Sequence, residues 1–176
     1  MEVHKYHALG NDYLVYDPKT NVMELNEERI RLICDRHFGV GSDGILCGPV
    51  FRNGTPSVRI YNPDGSEAEK SGSGVRIFSK YLKDAGYVFD RQFTLSTIGG
   101  DVDVEFLNES GDVMKVFMGT LTFQSSKIPV AGADRIVVDE PMEFGGNIYR
   151  ATCVSIGNPH CVIPMDEIDK QHACEL

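Results

Sequence analysis

The chain has no apolar run approaching the ~20 residues that a membrane-spanning helix needs, so no membrane is expected as its partner. Its start, Met1-Glu2-Val3-His4-Lys5, lacks the apolar core of a secretory signal, and a cytoplasmic location is expected. There is no Lys/Arg cluster either. With 26 acidic against 17 basic residues and a net charge of -9, neither nucleic acid nor an anionic surface is expected as the main partner. The five cysteines, Cys34, Cys47, Cys153, Cys161 and Cys174, are odd in number and irregularly spaced, so neither a disulfide framework nor a metal site is expected. A length of 176 residues with 41% hydrophobic content suits one packed domain or two small ones.

What the sequence does have is one stretch that crosses from strand through loop to helix. Val58, Ile60 and Tyr61 read as the end of a strand, Asn62-Pro63-Asp64-Gly65 as a turn, and an amphipathic run begins at Val75. The helix start is predicted at Ser71-Gly72-Ser73-Gly74. The first amides of a helix have no partner inside it, and the macrodipole places partial positive charge there. Gly72, Ser73 and Gly74 would therefore offer N–H groups to a carboxylate or phosphate.

The flanks read as support. Val3 to Asp17 predicts two short strands, with Asn11 and Asp12 in the polar turn between them, where turn chemistry alone could account for both. Asn26 with Glu27 and Glu28 marks a helix start, and Ile30, Ile33, Cys34 and His37 recur on its core side up to a stop at Gly39. Gly39-Val40-Gly41-Ser42-Asp43-Gly44 has neither the Gly-Lys-Ser/Thr ending of a Walker loop nor the following helix of a dinucleotide fingerprint. It reads as a structural turn, with ligand contact by Arg36 or Asp43 as the alternative. Val75, Phe78, Leu82 and Ala85 mark one face of the next helix, closed at Gly86. Short alternating runs at 93–95, 102–106 and 113–118 then predict meander hairpins. A boundary is expected near residue 118, giving segments 1–118 and 119–176. In the second, 136–138, 148–156 and 161–163 read as strands, Gly157-Asn158-Pro159-His160 as an interruption, and 166–176 as an acidic helical tail. About sixty residues is small for a domain with its own core, so this segment is expected to be incomplete.

Four motifs carry a resemblance. His7-Ala8-Leu9-Gly10-Asn11-Asp12, Asp35 through Gly44, Asn62 through Glu69, and Gly157-Asn158-Pro159-His160-Cys161 occur in the order and spacing of diaminopimelate epimerase, across essentially the whole chain. The resemblance implies an α/β fold of two similar domains, each a curled, mostly antiparallel sheet around a central helix. It implies a small amino-acid substrate and a cofactor-independent isomerase converting LL- to meso-diaminopimelate, a lysine and peptidoglycan precursor. A homodimer stays open. In such enzymes a cysteine thiolate removes the α-proton from one face while a thiol from the other domain protonates the opposite face. By resemblance, Asn11, Asn62 and Asn158 match substrate-binding asparagines, and Gly72 and Ser73 match the backbone carboxylate clamp, with Gly74 also expected to bind substrate. His160 matches a histidine that helps the first cysteine change protonation state. Gly44 stands where many members have glutamine, although others also carry glycine.

The chain departs from the family at that helix start, where Cys-Gly-Asn-Gly is replaced by Ser71-Gly72-Ser73-Gly74. Ser71 occupies the catalytic position with the wrong acidity: a thiol titrates near ~8.5 and a helix N-terminus lowers that, whereas a serine needs a strong adjacent base. None of Cys153, Cys161 or Cys174 lies in the Cys-Gly-Thr-Gly setting of the second catalytic cysteine, and Cys161 reads as core. Three functions are consistent with this: an impaired epimerase, a relative with dehydratase or one-sided proton-exchange chemistry, and an amino-acid-binding protein without catalysis.

Overall fold

The run Tyr13-Leu14-Val15-Tyr16 is apolar throughout because both of its faces are buried. In the computed structural model, which describes residues 1–175, β1 (His4–Ala8) and β2 (Asn11–Tyr16) form an antiparallel hairpin. Alternation along β2 sends Leu14 and Tyr16 into a cluster with Ile30, Ile33 and Cys34 of α1 (Glu27–Cys34). Tyr13 and Val15 go to the opposite side, against Val75, Phe78 and Leu82 of α2 (Gly72–Asp84). Two layers of core thus share one strand.

β2 pairs in parallel with β3 (Ile45–Arg52), which pairs antiparallel with β4 (Thr55–Tyr61). β4 carries the short β5 (Glu67–Ala68) and meets β6 (Gln92–Thr97) in parallel at Ser57 and Ser96. β7 (Gly100–Phe106) and β8 (Met114–Phe117) complete an antiparallel meander. The sheet order is β1-β2-β3-β4-β6-β7-β8. Its two end strands, β1 and β8, both contact α2, so the sheet curls around that helix. This is the mixed α/β, mostly antiparallel arrangement expected from the sequence.

The chain divides into two compact units, Met1–Gly119 and Thr120–Leu176. The second holds a three-stranded antiparallel sheet of order β11-β10-β9, from β9 (Glu140–Phe144), β10 (Asn147–Ser155) and β11 (Pro159–Val162), with a small core of Ile128, Val137 and Cys153. A short α3 (Lys170–Glu175) follows, and Leu176, the end of the expected tail, lies outside the described residues. Among the described residues, no helix is long and apolar enough to cross a membrane.

Four local expectations need correction. Asn11 and Asp12 open β2; the turn uses Leu9 and Gly10, with Leu9 at a left-handed φ of 53°. α1 stops at Cys34, because the Asp35 carboxylate accepts the amides of His37 and Phe38, each at 2.7 Å, and His37 is left exposed. Ile136–Val138 makes single bonds to Phe123 and Cys153 and one bridge to Gln124, with no ladder on either side, while the strand β9 was not foreseen. Cys161 is exposed, since β11 is the edge of its sheet.

Candidate functional site

Ser71 is the N-cap of α2. Its backbone is extended (φ -141°, ψ 120°), and its Oγ accepts the amide of Gly74 at 3.1 Å. Gly74 has to be small there, because a Cβ would stand 3.1 Å from Ser71 Oγ and 3.2 Å from Leu46 Cδ2. The amides of Gly72 and Ser73 lead the helix, ahead of any carbonyl in it that could accept them. Gly72 and Ser73 are half-buried; a Cβ at Gly72 would stand 3.5 Å from Arg76 Nη1, which donates to the Gly72 carbonyl at 2.9 Å.

Asn11 and Tyr13 lie two apart on β2 and so share the face turned to α2. Asn11 Nδ2 donates to Ser73 Oγ at 2.7 Å, and Tyr13 OH lies 3.4 Å from Ser71 Oγ. The two serine hydroxyls are 3.2 Å apart. Asn11, Ser71, Gly72, Ser73 and Gly74 are therefore brought together at one helix start. Tyr13 is the member that motif reading missed; period-2 alternation from Asn11 was the signal that could have found it.

Asn62 follows β4 at the start of the turn, where its backbone N–H donates to the Ser66 carbonyl at 2.8 Å and its Nδ2 to Ser66 Oγ at 2.9 Å. Its side chain is thus engaged within its own turn. In the second unit, Asn158 is exposed in the turn between β10 and β11, and His160 is exposed on β11 opposite Val154.

The glycine-rich loop has a structural use. Arg36 Nη2 bridges Asp12 and Asp43, each at 2.7 Å, Lys5 Nζ reaches Asp12 at 2.8 Å, and Asp43 N–H donates to the Asp12 carbonyl at 2.8 Å. The Arg36 guanidinium holds the Asp12 carboxyl well below the usual carboxylate range, with Lys5 and Asp43 adding to the effect. This network fixes the loop to the start of β2, next to Asn11. Gly44 is also constrained: a Cβ would fall on the Tyr61 carbonyl oxygen and 2.6 Å from Tyr13 Cε1. The tyrosine ring fills the space that a longer residue at 44 would need. Among the described residues, no group of three or more His, Cys, Asp or Glu is placed to hold a metal ion.

The arrangement is a helix N-terminus with two leading amides, one side-chain amide and three hydroxyls, suited to an anion such as a carboxylate. Diaminopimelate epimerase 2 of Nostoc sp. is 48% identical over 174 residues, covering 98% of this chain and 61% of that protein. The diaminopimelate epimerase of Pelotomaculum thermopropionicum is 41% identical, covering 96% and 62%. The chain thus spans less than two thirds of the length of these relatives. In fold, it is similar to a probable proline racemase from Agrobacterium radiobacter, with a TM-score of 0.67 and 14% identity over 92% of this chain and 51% of that one. A hydroxyproline epimerase from Agrobacterium vitis gives a TM-score of 0.65 at 12% identity, over 92% and 50%. Residues 3–124 match the family described as diaminopimelate epimerase, and with that match and these relatives the chain belongs to the diaminopimelate epimerase family.

Proposed function

We propose that this chain binds diaminopimelate through its α-carboxylate at the start of α2 and acts there as a cofactor-independent epimerase of the LL- to meso- type, with turnover impaired by Ser71. The observation that carries the binding is the pair of leading amides at Gly72 and Ser73 with the Asn11 amide beside them, 2.7 Å from Ser73 Oγ. An α-carbon proton is a very weak acid. Removing it spreads negative charge onto the carboxylate, and amides and the positive helix end already aimed there stabilise that charge with little reorganisation. By the family resemblance, Asn62 and Asn158 are further candidates for binding the substrate and His160 for proton handling.

The base is the weak part. Ser71 Oγ accepts the Gly74 amide and lies within reach of two further hydroxyls, and no group among these contacts is a strong base. This favours a second reading, in which the chain binds the amino acid without inverting it. A member with dehydratase or one-sided exchange chemistry is the third. In each case the reading is of a cytoplasmic protein with a small amino-acid ligand, no nucleic-acid or membrane partner, and a homodimer left open.

Deuterium exchange at the α-carbon of LL- and meso-diaminopimelate, paired with calorimetric titration, distinguishes them. Slow exchange with inversion supports the first reading, and saturable binding with no exchange the second. One-sided exchange or elimination supports the third. Ser71→Cys is expected to raise exchange; binding that persists with no gain from the thiol would count against position 71 as an acid/base site.

A further inference from the structure

The β10–β11 hairpin sets Cys153 and Cys161 directly opposite one another. Their register is of the close kind. The Cys153 N–H donates to the Val137 carbonyl at 3.1 Å, and Ser155 exchanges both of its bonds with Thr122, at 2.9 and 2.8 Å, so both residues turn their backbone groups away from β11. Pro159, opposite Ser155, has no N–H to offer, which fits the same pattern. Cys153 and Cys161 are thus a non-hydrogen-bonded pair, whose α-carbons stand about 4.5 Å apart with both side chains on one face. That lies inside the range a disulfide spans, roughly 4.4–6.8 Å between α-carbons. Both thiols are free here, Cys153 buried and Cys161 exposed.

We propose that Cys153 and Cys161 are a reversible dithiol/disulfide pair, oxidised by small-molecule disulfides and closing the turn that carries Asn158. The exposed Cys161 thiolate attacks one sulfur of the small disulfide, forming a mixed disulfide and expelling one thiolate. The Cys153 thiolate then attacks the Cys161 sulfur and expels the second. The pair loses two electrons and two protons, and the small disulfide gains both as two thiols. Burial, reinforced by the neighbouring Cys161 thiol, pushes Cys153 above the ordinary thiol range. The closing step therefore quickens as pH rises.

The test is incubation of the folded chain with oxidised glutathione, followed by alkylation of the remaining thiols, non-reducing mass measurement and peptide mapping. The expected product is lighter by two hydrogens before alkylation, links the Cys153 and Cys161 peptides, reopens with dithiothreitol, and forms faster at higher pH. Cys161→Ser should abolish the link, and Cys153→Ser should leave Cys161 as a stable glutathione adduct. The map of the unmodified chain decides the question even if a variant fails to fold. A persistent adduct on Cys161, a link involving Cys34, Cys47 or Cys174, or equal formation of the link in urea would overturn the proposal.

Discussion

Asn11 and Ser73, sixty-two residues apart, are joined by a hydrogen bond of 2.7 Å from the Asn11 amide to the Ser73 hydroxyl. This bond ties the first hairpin to the helix start and holds the Asn11 side chain beside Ser73. In the proposed complex Ser73 contributes its backbone N–H, and Asn11 its side chain. Ser73→Ala should therefore leave diaminopimelate affinity within about threefold, whereas Asn11→Ala should weaken it about ten- to a hundredfold, the value of one hydrogen bond to a charged group. Calorimetric titration of both variants checks this. A larger loss from Ser73→Ala than from Asn11→Ala would reverse the assignment.

Gly44 tests the packing behind the site. A methyl group there meets the Tyr61 carbonyl and the Tyr13 ring, one a backbone atom and the other a buried side chain, so neither yields cheaply. Gly44→Ala should destabilise the chain by about 2–3 kcal/mol, the upper part of the usual cost of overpacking. Urea unfolding measures it, and an unchanged midpoint would mean that β2, β3 and β4 do not pack this closely.

The helix start was legible because every local signal agreed: the strand ending at Tyr61, a turn, small residues, a serine cap, then helical periodicity from Val75. The Asn26 cap was equally plain, and its side chain does accept the Arg29 amide at 2.9 Å. Asn11 was misplaced because Gly-Asn-Asp is good turn chemistry, and only the hairpin register shows that the turn falls on Leu9 and Gly10. His37 has the spacing of a core residue. Asp35, however, competes for the following amides and ends the helix first, a choice that periodicity does not register. Cys161 sits in an apolar run, but whether such a strand is covered depends on its place in the sheet, which is a tertiary fact. Tyr13 escaped notice because its apolar role in the core hides the hydroxyl at its tip.

The Asp12 network should appear in acid. Its carboxyl is held low in the folded chain, so the stability it contributes is fully present above the unfolded value of about 4 and is lost as pH falls toward the folded one. Asp12 is 13% exposed, but Lys5 and Arg36 are 44% and 53% exposed, so solvent screens the pairs from the cation side. Asp12→Asn should cost about 1 kcal/mol at neutral pH, and the difference from the unmodified chain should narrow below about pH 4. Urea unfolding at several pH values measures it. A gap that widens in acid would contradict the network.

A second carboxylate should show itself in alkali. Asp17 is 2% exposed, and its Oδ2 accepts the phenols of Tyr81 at 2.7 Å and Tyr87 at 2.6 Å. Burial first, and then the bond to Asp17 and its charge, raise both phenols, Tyr87 to about 12 and Tyr81 further. For a phenol raised in the folded chain, the neutral form is the one folding favours. The stability is present below the unfolded value near ~10 and is lost as pH rises through the folded one. Ultraviolet titration should therefore show that tyrosinate forms later in the folded chain than in urea, with stability falling from about pH 10 upward. Tyr81→Phe removes one donor from a buried carboxylate. It should cost about 1.5–3 kcal/mol at neutral pH, as expected for a hydrogen bond to a charged group, while Tyr87 keeps its own bond. If Tyr81→Phe left both neutral stability and the alkaline titration unchanged, Asp17 would not be held by Tyr81.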